Sequence, residues 1–306
     1  MTGKPYRTWA PVLMLAALFA AAYLVIPGFQ QPRIYLTILK NGTYNGILAL
    51  GLLLVLICGD IDLSIGAQMS FYGVLCAIAM KRGVPIPLSI LLTLAVALGI
   101  GCFLGTAVGR FRVNSVIATI AMTITLEGLS QIVTKGVPVY NLPDAFVEQS
   151  MRKLFGLSQP TLVWFLLTVL VALFLRQTYW GRFFYAVGNN AAAAQRAGVP
   201  IARTKAVAFA GSSLLCALSG IVYISHIGLA PLNAGSGAHI SVLTIAALGG
   251  VSFSGGKGKV LPVFCGALFL SALTSIFIVL RVPPYYQNCI KGSILFVAAL
   301  TKMRKY

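Results

Sequence analysis

Long apolar runs, separated by short polar connections, dominate this chain: about 9–27, 34–58, 63–80, 86–109, 115–134, 161–178, 205–228, 240–250, 260–281 and 286–301. A helix needs roughly 20 apolar residues to cross the hydrocarbon of a bilayer. In lipid every backbone polar group must be bonded within the protein, so repeated runs of this length can only become helices. Charged residues make up 9% of the chain, against about 25% in an ordinary soluble domain. The sequence therefore predicts an all-α fold, a polytopic transmembrane helix bundle of about ten spans. It forms a single domain over 1–306, with no separate soluble unit. The run 240–250 is too short to cross and is expected to be a broken or re-entrant helix.

The formal net charge is +18. The lysines and arginines fall between the apolar runs and form no basic helix, which excludes a nucleic-acid surface and points to membrane lipid headgroups as their partners. Lys4, Arg7, Arg110, Arg112, the basic residues of 176–205, Lys257, Lys259, Lys302, Arg304 and Lys305 fall together on one side. The positive-inside rule makes that side cytoplasmic, with both termini there. The N-terminal run has no small-residue cleavage site before Pro27 and reads as a retained first helix. The six cysteines lack CxxC spacing, and His226 and His239 stand apart, so no metal site is expected.

Two connections are long. The segment 136–160 is expected as an outer loop. The segment 178–204 is expected on the inner face, with loop residues followed by a short surface helix at Ala191–Ala197, stopped by Gly198 with Pro200 just beyond.

Carboxylates are scarce, five in all, yet two of them, Asp60 and Asp62, sit in "ICGDIDLSIG" between apolar runs. "GDIDLSIG" (59–66) is echoed by "GGVSFSGG" (249–256), a weak internal repeat. Interrupted helices built from repeats are a recurrent transporter design. Glycines permit the turn. Asp60, Asp62 and Ser64, and in the echo Ser252 and Ser254, can then accept bonds from the N–H groups that open the next helix. The alternative is a proton or cation site, since intramembrane carboxylates often serve as one. Glu127 either faces the pathway or bonds a nearby threonine, Thr123 or Thr125. Gln68, Asn114, His226, His239 and Asn288 are either interhelical glue or lining of a polar route. Gly101/Gly105/Gly109 and Gly42/Gly46 have the spacing that lets helices approach closely.

These segments resemble a known family. "CGDIDLSIGA" is similar to the GGIDLSVG signature of ribose-type ABC importer permeases, which take up carbohydrates. "RQTYWGRFFYAVGNNAAAAQRAGV" resembles that family's most specific segment, with Arg176, Thr178, Gly181, Arg182, Tyr185, Ala186, Gly188, Asn190, Ala193, Ala194 and Gly198 in place. "LGGVSFSGGKGKV" and "NSVIATIAMTITLEGLSQIVTKGVP" resemble two further motifs, and the matches run in order from about 45 to 300. Asp60, Glu127, His239, Ser241 and Ala192 depart from the family pattern and change the charge along the expected pathway.

The resemblance implies a permease subunit of the bacterial inner membrane, paired with a second copy or a homologue. Two ATP-binding subunits and a periplasmic solute-binding protein would complete the importer. Residues 178–204 would be the element that couples to the ATPase. The chain itself has no phosphate-binding loop, because "SGGKGK" lacks the upstream glycine and the Ser/Thr. ATP and magnesium are therefore expected on the partner ATPase, with no cofactor, catalytic residue or metal in this chain. The expected cargo is a sugar or related polyol. Alternatives are a nucleoside or branched-chain amino acid on the same plan, or a proton-coupled secondary transporter using Asp60, Asp62 and Glu127.

Overall fold

The computed structural model describes residues 6–26, 29–154 and 156–303. Each of the ten apolar runs is a helix: α1 (Tyr6–Val25), α2 (Pro32–Ile57), α3 (Ile65–Lys81), α4 (Ile86–Gly109), α5 (Ser115–Thr134), α7 (Gln159–Gln177), α10 (Ile201–Ile227), α11 (Ala238–Leu248), α12 (Val260–Val279) and α13 (Pro284–Met303). Three short helices lie in the two long connections: α6 (Asp144–Met151), α8 (Tyr179–Asn189) and α9 (Ala191–Arg196). Among the described residues the only sheet is a two-residue-by-two-residue hairpin, Lys153–Leu154 with Leu157–Ser158. The protein is thus an all-α polytopic bundle. By length and composition, six helices can cross a membrane: α2, α4, α5, α7, α10 and α12. Lys4, Pro27, Arg304 and Lys305, which figured in the expected topology, lie outside the described residues.

Burial separates two classes of helix. The central pair is α2 and α10. Every residue from Gly46 to Ile57 on α2 is buried, and α10 is in contact with α2, α3 and α4. By contrast, α4, α5 and α7 expose Leu91, Phe103, Ile117, Ile124, Ile132 and Leu166. An apolar outer surface of this kind needs lipid, not water, around it.

The glycine stripe on α4 does what its spacing predicts. Methyl groups at Gly101, Gly105 and Gly109 would run into the backbones of Ala210, Ala206 and Ala202 on α10. The two antiparallel helices therefore pack almost backbone to backbone. Gly42 and Gly46 serve differently. They leave room for the indole of Trp164 on α7, which is fully buried against α2 and Phe264. The spacing allowed a helix contact; a large side chain occupies it instead.

Two spans are incomplete, and both are entered by non-helical chain. α2 ends at Ile57, residues 58–64 lie outside any helix, and α3 begins at Ile65. Likewise α10 ends at Ile227, residues 228–237 run without helix, and the short α11 begins at Ala238. Backbone N–H groups freed in this way need partners inside the protein. Ser115 and Thr119, one turn apart on α5, supply them: their hydroxyl oxygens accept from Ile61 N at 3.3 Å and Leu63 N at 3.2 Å. At the second break Ser70 Oγ accepts from Gly235 N at 2.8 Å. The two breaks meet there. Gly66, in the first turn of α3, lies so close to Gly235 that neither could carry a side chain.

The segment 136–160, expected as an outer loop, is more ordered than a loop. It contains α6 and the hairpin, and Val139 exchanges backbone bonds with Ala230 at 3.1 and 2.9 Å. Ser150 Oγ donates to Ser225 O at 2.8 Å, pinning α6 to the end of α10.

Candidate functional site

The segment 178–204 was expected to be loop up to Asn190 and helix after it. The structure corrects the first part, because 179–189 is the helix α8. Thr178 starts it, its Oγ1 accepting from Gly181 N at 3.2 Å while donating to Phe174 O at 2.7 Å. Gly181, Phe184 and Val187 form its buried face, at a spacing of three that suits a helix. Phe184 packs on Phe174 of α7.

Asn190 then opens α9. Its side-chain oxygen accepts from Ala193 N at 3.0 Å, the bond of a helix N-cap. On α9 Ala194 is buried, while Ala193, Gln195 and Arg196 are exposed. Gly198, at φ +81°, closes it: Gly198 N donates to Gln195 O and Val199 N to Ala194 O, both at 3.0 Å. That is a left-handed C-terminal cap, as the glycine predicted. Arg176 and Arg182 are exposed at the same end of the bundle.

The contact that sequence reasoning missed lies under α8. Gly188 sits against Gly59 from the first motif and Gly255 and Gly256 from the second. A methyl on Gly188 would strike the carbonyl oxygen of Ile57 and the amide of Gly256. Those two groups are themselves bonded, Gly256 N donating to Ile57 O at 2.9 Å. Tyr185, one turn earlier on α8, donates its hydroxyl to Gly258 O at 2.7 Å. Burial raises the Tyr185 phenol above its usual range, which keeps it protonated as a donor. The similar segments 59–66 and 249–256 are therefore packing partners, joined through one glycine of α8.

The break residues divide by role. Asp62 is 1% exposed and accepts from Ser64 N at 2.9 Å, from the Ser64 hydroxyl, and from Gln68 Nε2 and Ser212 Oγ, both at 3.4 Å. It holds the turn just ahead of α3 through Ser64, the residue at the helix N-cap, but neither Asp62 nor Ser64 bonds a first-turn N–H with its side chain, so the expected side-chain cap is not formed. Ser64 takes part through its hydroxyl, which accepts from Gln68 Nε2 at 2.7 Å. The network continues from Gln68 to Tyr72 and on to Ser213 at 2.6 Å. Tyr72 is fully buried, so it packs and bonds and has no open face.

Asp60 does not cap. It pairs with Lys205 in the first turns of α10, Nζ lying 2.8 and 3.1 Å from the two carboxylate oxygens. The serines of the second motif also differ from expectation. Ser252 Oγ accepts from Ser254 N at 3.2 Å within a tight turn, Ser254 is exposed, and α12 begins after Lys259 with no side-chain cap. The glycines fold this segment back on itself (Ser252 N to Lys257 O, 2.8 Å) before α12 starts, so its serines are too early to cap. His239 is half-buried in the first turn of α11. Asn114 caps α5, accepting from Val116 N and Ile117 N.

Glu127 is exposed, and neither threonine considered as its partner bonds it. Thr123 donates to Thr119 O and Thr125 to Ala121 O. Glu127 instead borders a hollow of about 240 Å³ beside the Gly66–Gly235 junction, with Ser70, Gln131, Asn233 and Ser236. Among the described residues no cluster of His, Cys, Asp and Glu could hold a metal ion.

Residues 34–299 match the family described as branched-chain amino acid transport system / permease component. The chain is 31% identical over 320 residues to the ribose import permease protein RbsC of Escherichia coli (strain K12), covering 100% of this chain and 98% of that protein. It is 31% identical over 289 residues to the autoinducer 2 import system permease protein LsrC of Enterobacter sp. (strain 638), covering 94% and 84%. It is 30% identical over 291 residues to the L-arabinose ABC transporter permease protein AraH of Azospirillum brasilense, covering 94% and 85%. No solved structure matches the chain significantly.

Proposed function

Because the chain belongs to the branched-chain amino acid transport system / permease component family, we propose that it is the membrane-spanning subunit of an ATP-driven importer for a sugar or related polyol. The relatives named for ribose, autoinducer 2 and L-arabinose support that cargo class. ATP hydrolysis belongs to partner ATP-binding subunits, and solute arrives from a periplasmic binding protein. The chain lies in the inner membrane, with α8 and α9 on the cytoplasmic face.

One observation carries the mechanism. Gly188 of α8 touches the end of α2 and the turn before α12 at the same point. A partner that moves α9 and α8 therefore pushes on both helices together. The same segment continues through Pro200 into α10, so its displacement also reaches the core. Solute binding and ATP binding then bias one set of helix positions, which is what coupling requires.

The proton-driven alternative loses its best carriers. Asp60 is neutralised by Lys205, and Asp62 is closed in by hydroxyl, amide and backbone donors. The test is uptake by reconstituted vesicles. The importer reading expects uptake only with the ATP-binding subunits, ATP and the binding protein. Uptake by the isolated chain, driven by a pH gradient, overturns it.

A further inference from the structure

Glu127 is the thirteenth residue of α5, about 18 Å along the helix at 1.5 Å per residue. That is close to the middle of a hydrocarbon layer about 30 Å thick. A carboxylate at that depth is costly against lipid and belongs on a water-lined or protein-covered face. Its position on the helix agrees. Glu127 and Gln131, one turn apart, lie on a flank between the buried residues Thr119, Leu126 and Ser130 and the apolar exposed residues Ile117, Ile124 and Ile132.

Across the hollow from this flank the chain is not helical. The segment before α11 brings Asn233 and Ser236 there, and Gly235 ties it to Ser70. Among the described residues, the side chains of Glu127, Gln131 and Asn233 make no hydrogen bond to the protein, and all three are exposed. Polar side chains at membrane depth without internal partners are free to bond something that enters. The volume, about 240 Å³, is just under the small end of ligand sites, about 300 to 1,000 Å³. It suits one monosaccharide ring. The donor set suits it too: a carboxylate accepts from two adjacent hydroxyls, while amides donate and accept.

We propose that this hollow is a solute-reading subsite, in which Glu127, Gln131 and Asn233 exchange hydrogen bonds with the hydroxyl groups of a passing monosaccharide-sized polyol. The proposal rests on the importer reading above. It makes α5 and the broken entry to α11 determinants of selectivity inside the membrane, in addition to any selection by the binding protein. The open side and the small number of contacts keep the affinity low, so that solute can leave.

Two measurements on the complete importer test it. In the first, single cysteines replace Glu127, Gln131, Ile124 and Ile132 in a chain whose native cysteines have been removed and which still transports. A charged, membrane-impermeant thiosulfonate is expected to modify positions 127 and 131 at least tenfold faster than 124 and 132. Equal rates overturn the proposal. In the second, initial uptake of D-ribose and L-arabinose is followed in vesicles carrying the unsubstituted chain, Glu127→Gln or Asn233→Ala. Expected are a severalfold rise in KM and an altered ribose-to-arabinose preference, with basal ATPase activity kept. Unchanged KM and preference in both variants overturn the subsite but leave the importer reading standing. If the unsubstituted chain takes up neither sugar, the polyol assignment fails at the level of the importer itself.

Discussion

Lys205 and Asp60, 145 residues apart, form an ion pair between the start of α10 and the break that follows α2. The lysine is 19% exposed and the aspartate 8%, so the pair is largely withdrawn from water. Removing one partner leaves the other charge with no counterion, which is worse than removing both. Lys205→Met and Asp60→Asn should each cost about 2 kcal/mol, below the fully buried range because the lysine retains some water. At roughly 2 to 4 °C per kcal/mol, that lowers the melting temperature in detergent by about 4 to 8 °C. The double variant should lose less than the sum. Thermal unfolding of the four purified forms, analysed as a double-mutant cycle, measures the coupling.

Gly188→Ala should uncouple the transporter. The added methyl meets the Ile57 carbonyl and the Gly256 amide, and the backbone bond between them must lengthen or break. Overpacking of this kind costs about 1 to 3 kcal/mol. ATP-dependent uptake is expected to fall at least tenfold while the chain still reaches the membrane. Gly198→Asn is the contrast: nothing lies within 4 Å of that position, and only its left-handed φ is demanding. Asparagine tolerates that conformation, so uptake should stay within about twofold. The uptake ratio of the two variants separates close approach from backbone geometry.

Tyr185→Phe deletes the hydroxyl that holds Gly258 O while keeping the ring. The expected loss is about 1 kcal/mol, the net value of one hydrogen bond. ATPase activity of the assembled complex should become less dependent on the binding protein, because the tie from α8 to the turn before α12 is loosened. Stimulation ratios with and without binding protein check this.

Asp62→Leu should prevent stable folding. Ser64 N and the Ser64 hydroxyl would lose their shared acceptor in a fully buried place, at about 1 to 3 kcal/mol for each group left unpaired. Asp62→Asn keeps one acceptor oxygen and should be recovered in lower yield with transport per molecule largely intact. Yield in the membrane, set against specific uptake, distinguishes this structural role from a proton carrier, whose amide variant would fold normally and not transport.

Much of the architecture can be read from the residues alone. Ten apolar runs became ten helices, and the first break, the short helix after Asn190 and its stop at Gly198 all follow from local chemistry. Helix α8 was harder, because its aromatic residues and two glycines hide a face made of Gly181, Phe184 and Val187. The break before α11 was legible only as a span that was too short. "PLNAGSG" resembles any polar connection until its contact with α3 is known. What could not be read was long-range partnership. The likeness of 59–66 to 249–256 suggested two copies of one device, but a linear pattern does not state which distant segments touch. Here they touch each other. Lys205 likewise carries no local sign of Asp60.

Helix α10 is one unbroken rod of 27 residues, about 40 Å from end to end. Its near half is welded to α4 by backbones so close that neither can slide without the other. Each degree by which this twin beam leans at its Ile201 foot shifts the His226 tip by about 0.7 Å, from its length alone. A lean of about 4° at that foot would carry the far tip about 3 Å, the width of a water molecule, so a small tilt at one end suffices to open or shut a narrow gap at the other.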